Sequence, residues 1–66
     1  MEFGIYKNIK TGNDYTVLDN ATNATNAQDG QSMVIYTLTE TAHHKVRPLY
    51  VRTVEEFNIK FEKVVV

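Results

Sequence analysis

Met33-Val34-Ile35-Tyr36-Thr37-Leu38 carries apolar side chains at both odd and even positions. Successive side chains of a strand point to opposite faces, so such a run buries both faces and belongs inside a sheet. The rest of the chain supplies neighbours for it. Phe3, Ile5 and Ile9 fall on alternate positions, with Lys7 breaking the series. That period of two predicts a first strand with this apolar set turned inward. Lys10-Thr11-Gly12-Asn13-Asp14 is a cluster of turn formers, and Tyr15 to Leu18 reads as the second strand of a hairpin. Thr39 to Lys45 turns the chain after the inner strand. Pro48 cannot donate to a ladder and is expected at a strand start or edge, ahead of a fourth strand over Leu49 to Arg52. Thr53-Val54-Glu55-Glu56 has the form of a capping box and predicts a single helical turn. Phe57, Ile59 and Phe61 alternate with Asn58, Lys60 and Glu62, which predicts a fifth strand with one buried face. Val64-Val65-Val66 extends that strand or pairs with another copy at a sheet edge.

These signals specify an all-β class: a small, strongly bent antiparallel sheet, or an SH3-like partly open barrel, of about five strands with one short helical turn. With 66 residues the chain is one small domain. A fold of this size buries only about 60% of the surface its unfolded chain exposes. It contains no cysteine, so disulfides and thiolate metal sites are excluded. The missing burial then falls to a compact core, a homo-oligomer or a bound ligand. Residues 19–31 contain an Asn-Ala-Thr repeat without a large apolar group. They are expected to form a mobile loop, with a tolerated surface insertion preferred over a binding loop. Hydrophobic residues make up 42% of the chain and the formal net charge is −1, a globular composition without the positive excess of a nucleic-acid binder. No apolar run nears the roughly 20 residues that cross a bilayer, and no signal peptide is recognisable, so a cytoplasmic location is expected.

Several short motifs recur in an order that resembles a family of small bacterial and phage proteins, domain-of-unknown-function family 1653. Gly4-Ile5-Tyr6 is similar to its opening Gly-x-Tyr. Lys10-Thr11-Gly12 followed by Tyr15-Thr16-Val17-Leu18 resembles its Lys-Gly turn and Tyr-x-Val strand. Val34-Ile35-Tyr36 corresponds to its Val-Val-Tyr strand, Val51-Arg52 and Phe57 to its Val-Arg and Phe, and Phe61-Glu62-Lys63-Val64 to its frequent ending. The chain departs from the family at Asn8, where a His is common, at the Asn-Ala-Thr repeat, which replaces a His-x-Glu-Thr-type segment, and at Thr53, where Pro is frequent. The resemblance carries no activity with it, because the family has none assigned.

Among candidate sites, Tyr50 and Arg52 share one face of the fourth strand, and Tyr36 and Tyr6 are placed to join them. An arginine beside aromatics can hold a carboxylate or phosphate while a flat ring stacks nearby. The competing reading makes Arg52 the partner of a cross-strand acid such as Glu40 and the tyrosines packing residues. His43-His44 with Glu40 has helical metal-ligand spacing but lies in a turn, so solvated histidines and no metal site are expected. Catalytic residues are not expected: Ser32 is the only serine and lacks a Gly-flanked elbow, and the adjacent Glu55 and Glu56 suit a helix N-terminus. The sequence thus predicts a non-enzymatic binding module without a cofactor. Its first expected partner is a protein or peptide met by a sheet edge and the Tyr–Arg face. The alternatives are a homo-oligomer of phage type that sequesters a small anionic ligand such as a nucleotide, and, less well matched by the charge, a single-stranded nucleic-acid binder.

Overall fold

The computed structural model describes residues 1–25 and 30–65. Five strands form one antiparallel sheet: β1 (Gly4–Asn8), β2 (Asp14–Thr22), β3 (Ser32–Leu38), β4 (Tyr50–Thr53) and β5 (Phe61–Lys63). The order across the sheet is β4-β3-β2-β1-β5. The expected all-β class, one antiparallel sheet of five strands with one short helix, is found; the sheet is not closed into a barrel. A short 3-10 turn, Thr39–Thr41, follows β3, and helix α1 (Val54–Lys60) connects β4 to β5 across one face.

β3 lies inside the sheet as its two-faced pattern requires, although the middle position belongs to β2. The inner face carries Tyr6, Val17, Val34 and Tyr36, buried under Phe57 of α1 and Phe61 of β5. Among the described residues, the outer face is covered at one end. There Thr37 is fully buried beneath the 39–48 segment, and its hydroxyl donates to the Pro48 carbonyl at 2.6 Å. Thr16, its cross-strand neighbour, bonds Thr39 at 3.0 Å, so threonines rather than large apolar groups anchor this segment.

Three elements differ from the sequence expectation. In β1 the inward residue is Tyr6, while Phe3, Ile5 and Ile9 are exposed. One register step exchanges the two faces of a strand. Here the face is chosen by Tyr6, whose ring packs edge-on against Phe57 at 5.2 Å and whose hydroxyl reaches the Glu2 carbonyl at 2.9 Å. β2 runs to Thr22, into the segment expected as a loop, because a ladder needs backbone partners and not apolar side chains. Asp19, Asn20, Ala21 and Thr22 pair with Ile35, Val34, Met33 and Ser32 after a bulge between Val17 and Asp19. The expected mobility of the remaining loop falls partly on residues 26–29, which lie outside the described residues.

The last difference is the largest. Phe57, Asn58, Ile59 and Lys60 are helical, not a strand, and the helix spans 7 residues instead of one turn. Phe57 and Phe61 are separated by four residues, a spacing compatible with both periods. The helix is favoured at its start by Thr53, which accepts from the Glu56 N–H at 3.1 Å as the capping box predicts. Glu55 and Glu56 in the first turn and Lys60 in the last complement the helix dipole. The chain leaves the helix at Phe61, and the Phe57 and Phe61 rings then stack at 4.2 Å, 6° from parallel. Beyond β5, the Val64 N–H donates to the Ile5 carbonyl at 2.9 Å, so the terminal segment extends the pairing with β1.

Candidate functional site

Cross-strand pairing places Tyr36 opposite Tyr50 and Val34 opposite Arg52, so both predicted residues of β4 face inward beside Tyr36. The Tyr36 and Tyr50 rings meet at 5.5 Å, and Arg52 Nε donates to the Tyr36 hydroxyl at 2.8 Å. The Arg52 guanidinium then crosses the face at 6.0 Å from the Phe61 ring centroid. Three of the four predicted residues therefore form one cluster. Tyr6 is a core residue, 5% exposed, whose ring meets Phe57 and, among the described residues, makes no ring contact with Tyr36 or Tyr50.

The cluster contains a residue that the sequence reading missed. Tyr15 packs edge-to-face against Tyr36 at 5.6 Å, Tyr50 at 6.2 Å and Phe61 at 5.4 Å. Its alternation with Val17 in β2 was the available signal, since both must share the inner face. Helix α1 covers the Phe57 end of that face and leaves the Tyr50 end open, with Tyr50 40% exposed.

The acid partner of Arg52 is Glu56, in the first turn of α1, which accepts from Nη1; the expected cross-strand partner Glu40 is not involved. Tyr36, through its hydrogen bond and its charge interaction, and behind it Glu56 raise the Arg52 pKa above its ordinary value despite partial burial. A guanidinium has five N–H groups. Among the described residues the Tyr36 and Glu56 bonds use Nε and one hydrogen of Nη1, leaving the other Nη1 hydrogen and the Nη2 pair for a partner.

Two depressions share Arg52. One follows the free side of β4, a shallow groove of about 580 Å³ between Leu49, Tyr50, Val51, Arg52, Tyr36 and Glu56. The other, of about 440 Å³, lies between the turn after β1 and the last turn of α1. His43 and His44 are exposed in the turn after β3, and no group of three metal-ligating side chains converges among the described residues. Compared with protein-family models, curated proteins and solved structures, the chain matches none. The resemblance to the family of small bacterial and phage proteins therefore rests on the quoted motifs alone.

Proposed function

We propose that this chain is a non-enzymatic binding module that takes an extended peptide segment of another protein along the β4 edge. The observation that carries this reading is the groove itself. β4 ends the sheet order, so its outward backbone groups have no strand partner among the described residues. An unpaired edge is a template for an added strand, with affinity from main-chain bonds and selectivity from flanking side chains. Here the flanking side chains are amphipathic: Leu49, Tyr50 and Val51 are exposed, and Arg52 and Glu56 offer opposite charges at one end. Tyrosine and arginine are the residue types most often concentrated at binding hot spots.

Display of a random peptide library on phage, selected against the folded protein, tests the proposal. Selected peptides should bind the wild-type chain and lose at least tenfold in affinity toward L49D/Y50A, a change of about 1.4 kcal/mol. Circular dichroism would establish that this variant keeps its fold. Failure to enrich any sequence, or equal binding to the folded variant, would exclude the β4 edge as the docking site.

A further inference from the structure

The depression between the β1–β2 turn and the C-terminal turn of α1 is built from different chemistry than the β4 groove. Its rim carries Lys10, Arg52 and Lys60, its walls carry Ile9 and Ile59, and Thr11 adds a hydroxyl. No carboxylate lines it, in a chain whose net charge is −1. Two of these cations have an acid partner, Glu56, which binds Arg52 Nη1 and sits 3.9 Å from Lys60 Nζ. Lys10 takes part in none of the ion pairs among the described residues. Three cationic residues therefore line one depression, with one carboxylate beside two of them.

The backbone of both walls is fixed. Asn8 Oδ1 accepts from the N–H groups of Lys10 and Thr11, each at 3.0 Å, and this holds the turn. The Ile9 N–H donates to the Lys60 carbonyl at 3.0 Å and ties that turn to the end of the helix. Ile9 and Ile59 flank the opening and are 59% and 71% exposed. Two large apolar side chains beside three cations match a ligand with an apolar body and an anionic head, because each part desolvates against its own kind.

We infer that this depression binds an organic anion, an aryl or alkyl phosphate or carboxylate, whose charged head sits among Lys10, Lys60 and the free Arg52 hydrogens. Glu56 occupies part of that cationic field as an internal competitor, and the ligand head partly replaces it. The inference shares Arg52 and Glu56 with the peptide reading but requires neither an added strand at the β4 edge nor Tyr50.

The test is a titration of amide chemical shifts of the ¹⁵N-labelled protein at low salt with phenyl phosphate, inorganic phosphate and benzyl alcohol. Phenyl phosphate should saturate, with the largest shifts at residues 8–11, 52, 59 and 60. Its affinity should exceed those of inorganic phosphate and benzyl alcohol by about tenfold or more, since neither carries both parts. K10A and K60A should each weaken it severalfold, and E56Q should tighten it. These three positions are exposed, and thermal melts would verify that each variant is folded. Unsaturable shifts, equal affinity for inorganic phosphate, or unchanged binding by folded K10A/K60A would overturn the inference. Weaker binding by folded E56Q would overturn the role of Glu56. Substituting phenylacetate for phenyl phosphate then tells whether the head group is read as a carboxylate or as a phosphate.

Discussion

Phe57 is the residue on which the domain depends most, and its replacement by alanine tests the whole packing argument. The side chain has no exposed surface, although it sits on a helix only 7 residues long. It touches three rings: Tyr6 at 5.2 Å, Tyr36 at 5.1 Å and Phe61 at 4.2 Å. Truncating a buried phenylalanine to alanine costs about 3–5 kcal/mol in lost transfer energy and residual cavity. Aromatic pairs add about 0.5–1.5 kcal/mol each beyond area burial, which places this site toward the upper end. A domain of 66 residues holds about 3–10 kcal/mol in total at typical per-residue stability. Phe57→Ala is therefore expected to remove about half or more of that stability, which in the lower half of the range brings the chain to or past its midpoint without denaturant. Urea titration followed by tyrosine fluorescence and far-ultraviolet circular dichroism measures this directly. Ile59→Ala is the control: Ile59 is 71% exposed, so its loss should cost under about 0.5 kcal/mol. In a strand, Phe57, Ile59 and Phe61 would share one buried face and both substitutions would be severe. Equal destabilisation by the two variants, or a shift below about 1 kcal/mol for Phe57→Ala, would refute the helical packing.

Three further outcomes follow from single contacts. Thr53→Ala removes the hydroxyl that caps the Glu56 N–H and should cost about 1 kcal/mol in urea melts, whereas Thr53→Ser should restore most of it. Gly12 adopts φ +78° in the turn between β1 and β2, so Gly12→Ala should lower stability by about 1–2 kcal/mol through strain alone, since open space surrounds the position. Glu2 is hydrogen-bonded to Lys63 and attracted by its charge, which holds the Glu2 carboxyl below its ordinary pKa. Its contribution to stability should therefore be present above the unfolded-state pKa and disappear as pH falls through the lower folded value. A carbon-detected titration of Glu2 should show that lowered midpoint, and Lys63→Met should return it to the ordinary range.

Much of the secondary structure was legible because it depends on neighbours in the chain. The turn at Gly12, the two-faced pattern of 33–38, the position of Pro48 before β4 and the Thr53 cap are local properties of residue type and spacing. So was the pairing of Tyr50 with Arg52 on one face, since a strand repeats every two residues. What the sequence left ambiguous was resolved by contacts between distant segments. The inward face of β1 depends on Tyr6 meeting Phe57, 51 positions later, and the length of β2 depends on backbone partners in β3. Phe57 and Phe61 satisfy helical and strand periods equally, and the sheet leaves room for only one of them to lie in a strand beside β1. The choice of Glu56 over Glu40 as the partner of Arg52 follows from that helix, because only a helical turn brings a side chain four positions ahead back over its strand. Local spacing determined which elements could form. Burial of a few aromatic rings, an energy shared among residues far apart in the chain, decided which faces they turned to one another.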